Sequence, residues 1–197
     1  MIILIFGPNA VGKSTTAREL AAHMKRCAYV ETDLLKYLIA GGLVAWSAGL
    51  RPKKHPEEYR RQIALRDANA AALARNFTEY DFDCVIEGLD LEIVGPCTGW
   101  AEEHLPGLEV RYIAIACDPE IAMNRWMERD GVTGDINRYI EWQKTVANPD
   151  SGLDYVLDTS TKPVDECIAE CAAALGTSLA ETALAYGVEW DTVKHVE

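Results

Sequence analysis

Ile2-Ile3-Leu4-Ile5-Phe6-Gly7-Pro8-Asn9-Ala10-Val11-Gly12-Lys13-Ser14-Thr15 is the stretch on which the reading of the whole chain turns. Five apolar residues in a row form a buried strand, and the strand runs directly into a loop bounded by two glycines. Beyond the loop, Ala17, Leu20, Ala21 and Met24 recur at helical spacing, which predicts a helix from about Lys13 to Lys25. Gly7 and Gly12 permit backbone angles that a side chain would block. The N–H groups between them, at Asn9, Ala10 and Val11, can then converge on an anion at the helix N-terminus.

The residues from Gly7 to Ser14 fit G-x-x-x-x-G-K-[ST], the phosphate-binding P-loop, in the strand-loop-helix context that pattern requires. In that motif Lys13 reaches the β- and γ-phosphates of a nucleotide. The Ser14 hydroxyl joins the shell of a Mg²⁺ ion, and Thr15 follows within the cradle. At background residue frequencies the four fixed positions match by accident in below about one per cent of chains of this length. The alternative is a glycine-rich strand-helix turn with a chance lysine, which the strand-loop-helix context argues against.

The rest of the chain reads as alternating strands and helices. Cys27 to Glu31 is a second strand, with a helix starting near Asp33 that dissolves around Gly41, Gly42 and Gly49. Pro56 with Glu57 and Glu58 opens a long helix, proline and acids standing where a helix start favours them. Its apolar row is Ile63, Ala70, Leu73 and Phe77, and Arg66 falls on that row. Phe82 to Glu87, Val110 to Ala116 and Tyr155 to Leu157 are the third to fifth strands, with helices opening at Asp118-Pro119-Glu120 and at Pro163. A short helix and a loose end follow Gly176. Strands apolar throughout suit a parallel sheet covered on both faces, so the expected class is α/β, doubly wound.

The chain has 197 residues, 31 acidic against 19 basic, for a formal charge of -12. That length matches one domain. The charge argues against a long nucleic acid as partner, because such a surface repels a phosphate backbone. The apolar start lacks a basic leader, and the uncharged run from Leu38 to Leu50 is too short to span a bilayer, so neither a signal peptide nor a membrane partner is expected. Six cysteines without a CxxC pair read as free thiols in a reducing cytoplasm, the expected location. His23, His55, His104 and His195 show no triad or metal spacing.

Among P-loop proteins, the guanine signature N-K-x-D is absent, Asn148 being followed by Pro149-Asp150, and no L-S-G-G-Q signature occurs. The chain is short for an AAA module, which leaves the small-molecule kinases. The sequence resembles P-loop kinases of the adenylate, shikimate and gluconate kinase type, and within them chloramphenicol phosphotransferase-like and zeta-toxin-like phosphotransferases. The resemblance runs from Met1 to about Ala174, strongest at the loop. It implies a five-stranded parallel sheet in the order 2-3-1-4-5, an acceptor-side helical region over about 34–78, and an arginine-bearing lid over about 126–138.

The resemblance also implies roles. Asp33, closing Val30-Glu31-Thr32-Asp33, corresponds to the carboxylate that binds an acceptor hydroxyl and takes its proton, chemistry that phosphoryl transfer from an alcohol needs; a helix N-cap is the other reading. Glu87-Gly88 stands where the group usually has aspartate with glycine. There the acid serves Mg²⁺ and the glycine admits substrate; Glu87, one methylene longer, serves metal, acceptor or neither. Arg125 and Arg129 share one helix face, the first placed to cover adenine and the second to meet transferring phosphates. The alternative is a solvated basic face paired with Glu120 or Glu128. Gly131 to Gly134 reads as the lid, with Arg138 beyond it. Asp158-Thr159-Ser160 either edges the adenine, through Thr159, or caps the next helix. Arg66 serves the acceptor or snorkels outward, with Asn69 and Trp46 as weaker acceptor candidates.

The expected activity is ATP- and Mg²⁺-dependent phosphorylation of a small-molecule hydroxyl: an antibiotic, sugar, nucleoside or sugar-nucleotide. The rival is a nucleotide-binding regulatory ATPase or switch without a small acceptor. Monomer and dimer fit the sequence equally.

Overall fold

The computed structural model describes residues 1–44, 55–89, 99–131 and 134–180. Five parallel strands, β1 (Ile2–Phe6), β2 (Cys27–Glu31), β3 (Asp83–Glu87), β4 (Val110–Ala116) and β5 (Tyr155–Asp158), lie in the order β2-β3-β1-β4-β5. β1 is central, with Ile5 in register with Glu87 on one side and Ile113 on the other. The third strand begins one residue later than expected and the fifth ends one later.

Alternate residues of each strand feed opposite faces of the sheet, as a period of two requires. Ile3, Ile5, Val85, Ile113, Ile115 and Leu157 meet one set of helices: α1 (Lys13–His23), α5 (Pro119–Asp130) and α7 (Val164–Leu175). Ile2, Leu4, Cys84, Ile86 and Tyr112 meet the other set, α3 (Pro56–Glu79) and α4 (Gly99–His104). Two covered faces explain why these strands are apolar throughout instead of alternating.

α3 rests on Gln62, Arg66, Ala70, Ala71 and Ala74. The apolar row read from sequence is thus corrected by about one residue: Leu73 and Phe77 are half-buried at its flank, and Ile63 stands outside that core. The small alanines let the helix lie close to β3, while the bulkier side chains splay to either side. Two helices were not expected, α4 and α6 (Ile136–Val146), and a four-residue turn, α2 (Thr32–Leu35), begins one residue before Asp33. α6 starts at Asp135, whose carboxylate accepts from the Asn137 N–H at 3.0 Å. After α7 the described chain does not continue as a helix: Leu179 pairs antiparallel with Met24, and the Ala180 N–H donates to the His23 carbonyl. Trp46 and the residues beyond 180 lie outside the described residues. No helix among the described residues is long and apolar enough to cross a membrane.

Candidate functional site

The loop after β1 is built as its glycines require. A Cβ on Gly7 would stand 2.8 Å from the Ile115 carbonyl oxygen and 2.9 Å from Val11, so only glycine lets the loop leave β1 between β4 and its own turn. Gly12, at φ 96°, begins α1 in a left-handed conformation. Val11 is completely buried beneath the loop and does not line the cleft above it. The Thr159 hydroxyl donates to the Val11 carbonyl at 2.6 Å, tying the loop to the end of β5. Tyr139 of α6 donates to the Asn9 carbonyl at 2.9 Å.

A cleft of about 480 Å³ opens over this loop. Asn9, Ala10, Lys13, Ser14 and Thr15 form its floor, and Glu31, Asp33, Glu87 and Gly88 form the wall at the ends of β2 and β3. Arg129 and Arg138 approach from the opposite side with Trp142. The structure therefore brings most of the residues singled out in the sequence to one cleft. Glu31, Glu141 and Trp142 had escaped notice. Glu31 could have been found from its position two residues before Asp33 at the same strand end.

Lys13 Nζ lies 2.6 Å from the Pro8 carbonyl, which folds the lysine back over the loop. Glu87 is 3% exposed, and burial raises its carboxyl above the ordinary range. The Lys13 charge and a hydrogen bond from Ser14 oppose that shift, while Glu31 adds to it. Glu87 is not a solvated strand end. Tyr29 donates toward Glu87 at 3.2 Å and toward Glu31 at 3.3 Å, and its own hydroxyl is shifted upward, first by burial and then by these two acids. Gly88, at φ 84°, is held close: a Cβ there would sit 2.8 Å from Thr32 Oγ1.

Asp33 is the second residue of α2, and no side chain caps that helix, so the N-cap reading of Asp33 is set aside. Its carboxylate is 54% exposed and faces the cleft, with Lys36 Nζ at 3.7 Å and Arg66 Nη1 at 3.8 Å. Arg66 does not snorkel. It is 1% exposed and pairs with Asp67 at 2.8 Å. Asn69 lies with Arg66 on a smaller hollow of about 150 Å³ behind Asp33.

Arg125 and Arg129 line a second hollow, about 260 Å³, on the other side of the loop, together with Thr159. Arg125 donates to the Thr159 and Ser160 carbonyls at 2.9 and 3.2 Å, and Arg129 pairs with Asp130 at 2.8 Å through both Nε and Nη2. The expected alternative partners, Glu120 and Glu128, are replaced by these. Asp158 accepts from the Ser160 N–H, and no side chain caps α7, so Asp158-Thr159-Ser160 does not serve as that helix's cap.

Among the described residues no three His, Cys, Asp or Glu side chains gather as a metal cluster. The adjacent Ser14 hydroxyl and Glu87 carboxylate are hard oxygen donors of the kind that suit Mg²⁺, which takes one or two protein ligands and completes its shell with phosphates and water.

A family model described as an AAA domain, AAA_18, matches residues 3–145, from β1 through most of α6. The chain belongs to the AAA_18 family. The family's description is the one that chain length argued against, whereas the sheet order is that expected for P-loop kinases. A cytidylate kinase from Cereibacter sphaeroides is 30% identical over 145 residues, 64% of this chain; the match spans 65% of that relative's length. The fold is shared by solved structures that include a resistance protein and small-molecule kinases. The tunicamycin resistance protein of Deinococcus radiodurans has TM-score 0.67 and 18% identity over 92% of this chain and 98% of its own. A sugar kinase from Janibacter has 0.59 and 17%, over 90% and 95%. Shikimate kinase from Aquifex aeolicus has 0.55 and 20%, over 89% and 96%. This AAA_18 chain thus has a kinase-like P-loop fold.

Proposed function

We propose that the protein transfers the γ-phosphoryl group of ATP to a hydroxyl of a small molecule. The observation that carries this reading is a single cleft holding the Lys13 cradle at its floor and the exposed Asp33 carboxylate on its wall. A carboxylate on that wall is placed to take the proton of a hydroxyl bound beside the phosphates. Within the reading, Gly7 to Thr15 hold the phosphates, and Arg125 and Thr159 edge the base. Lys13 and Arg129 neutralise the charge that develops on the transferring group. Asp33 accepts the acceptor's proton, with Arg66, Glu87 and Gly88 bordering the acceptor. Ser14 and Glu87 would hold Mg²⁺, which would supply positive charge against the phosphates.

The same proposal treats the chain as one cytoplasmic domain, with an acceptor side over 34–78 and a lid over 126–138. The kinship to a cytidylate kinase supports a second acceptor class, a nucleotide, for which Asp33 is a binding group only, since a phosphate acceptor needs no base.

The test is ADP release across a panel of sugars, nucleosides, sugar-nucleotides and hydroxylated antibiotics, with cytidine 5′-monophosphate included and products identified by mass. A phosphorylated alcohol supports the proposal. Phosphorylation of the nucleotide alone removes the base role of Asp33, and ATP hydrolysis indifferent to every acceptor sinks the kinase reading.

A further inference from the structure

Glu87 has one more side-chain torsion than an aspartate at the same place, so its carboxylate has more positions from which it must be drawn to a single one. Yet Glu87 is buried at the end of β3 and bonded to the first hydroxyl of α1. Something has to hold its far end. On the neighbouring strand, Glu31 stands directly in register with Glu87, and Tyr29 precedes Glu31 by two residues, which puts both on one face of β2. The Tyr29 hydroxyl reaches Glu87 Oε1 at 3.2 Å and Glu31 Oε2 at 3.3 Å, one proton facing two acceptors.

We propose that Tyr29 is a positioning residue that holds Glu87, together with Glu31, in the orientation used to bind the cation of a nucleotide complex. The inference rests on the assignment of Ser14 and Glu87 to that cation. A serine can ligate a cation through an oxygen lone pair and still donate its O–H to Glu87, so Tyr29 acts beside Ser14, giving the carboxylate a second donor. Tyr29 lines none of the three hollows described above, so its hydroxyl stays with the carboxylates whatever enters. Its two weak bonds also hold two carboxyl groups side by side, an arrangement that a cation arriving between them favours.

The experiment uses Mn²⁺ as the probe and the full-length protein with ADP. Free Mn²⁺ is followed by electron paramagnetic resonance, and ADP affinity is measured separately in the presence of a chelator. Tyr29→Phe keeps the ring and removes one oxygen. It should weaken Mn²⁺ binding to the protein–ADP complex by roughly fivefold to tenfold, the size of one ordinary hydrogen bond. Metal-free ADP affinity should stay within about twofold, since the cradle of main-chain N–H groups is untouched. In a Glu87→Gln background the same substitution should change Mn²⁺ affinity by less than about twofold, because the two residues act through one contact.

Equal Mn²⁺ affinity in wild type and Tyr29→Phe overturns the proposal while leaving the cation site standing. A matching loss of metal-free ADP binding also overturns it, showing that the hydroxyl supports the loop in general. If the wild-type complex holds Mn²⁺ no better than free ADP does, the assignment of Ser14 and Glu87 falls first and the role of Tyr29 with it.

Discussion

The Tyr139 hydroxyl donates to the Asn9 carbonyl over 2.9 Å, joining α6 to the phosphate loop across 130 positions of sequence. Tyr139 is buried, and its neighbour on the same helix, Trp142, donates from Nε1 to the Ile115 carbonyl at the end of β4. These two aromatic anchors seat a helix whose Ile136 and Ile140 face outward. Tyr139→Phe should therefore loosen the loop without unseating the helix. ATP affinity is expected to fall about threefold to tenfold, as the loss of one hydrogen bond implies. Isothermal titration checks it, and unchanged affinity would show that the loop holds its shape unaided.

Lys13→Ala tests the cradle itself. The lysine opposes the upward shift of the buried Glu87 as well as facing the cleft, so its removal takes away a charge that favours the ionised carboxylate. ATP turnover should drop by roughly a hundredfold or more, while the far-UV spectrum remains native because the sheet does not depend on this side chain. Turnover near the wild-type rate removes the phosphate-binding assignment.

The two arginines of α5 should separate. Arg125 is bonded to the Thr159 and Ser160 carbonyls, so Arg125→Ala is expected to weaken nucleotide binding about tenfold and to cost about 1–3 kcal/mol of stability. Arg129 pairs with exposed Asp130, a contact of little worth to the fold. Arg129→Ala should lower kcat with small changes in nucleotide affinity and melting temperature. ATP should bind better than GTP; exclusive GTP binding in a competition titration contradicts the base assignment. Reversed behaviour of the two variants exchanges their roles.

Much of this site was legible because its chemistry sits at strand ends. The loop, Asp33, Glu87 and Gly88 each terminate or follow an apolar run, and a parallel sheet brings such ends to one edge whatever lies between them. α6 was not legible, because it is seated by buried Tyr139 and half-buried Trp142 through bonds to distant carbonyls, whereas Ile136 and Ile140 point outward and give no inward stripe. The row on α3 was misread for a related reason. Ala70 and Arg66 were placed on the row, but Gln62, Ala71 and Ala74 share the contact, and small or polar residues do not announce themselves as core when Leu73 and Phe77 are nearby. The partners of Arg125 were equally hidden, since main-chain carbonyls leave no mark in a sequence.

The cysteines give a pH-dependent check on the fold. Burial pushes the thiols of Cys27, Cys84 and Cys171 up to about 12. A thiol whose value is higher folded than unfolded favours the native state below its unfolded value near 9.0, and that advantage is lost as pH rises toward about 12. Alkylation of these three in the native protein should stay slow between pH 7 and about 9, then become rapid on addition of denaturant. Fast modification of Cys171 at neutral pH would mean that the layer of α1 and α7 opens readily, and fast modification of Cys84 that the layer of α3 and α4 does.

Asp33→Asn decides whether the protein is an alcohol kinase. Asp33 does not cap α2, and its carboxylate is half-exposed, so loss of its charge should alter stability by less than about 1 kcal/mol. Arg66, the buried cation nearest to it on α3, retains Asp67 at 2.8 Å and is not left without a counter-charge. ATP binding should survive, because the loop and Lys13 are unchanged. Transfer to an alcohol acceptor should fall by roughly a hundredfold or more, since asparagine can hold the hydroxyl but cannot take its proton. The measurement combines kcat on the identified acceptor with a thermal melt and an ATP titration on the same preparation. A rate near that of the wild type makes Asp33 a contact residue, as a phosphate acceptor would require. A variant that melts far lower and loses ATP together makes it a structural counter-charge to Arg66 and Lys36, and the proposed transfer is then left without a base.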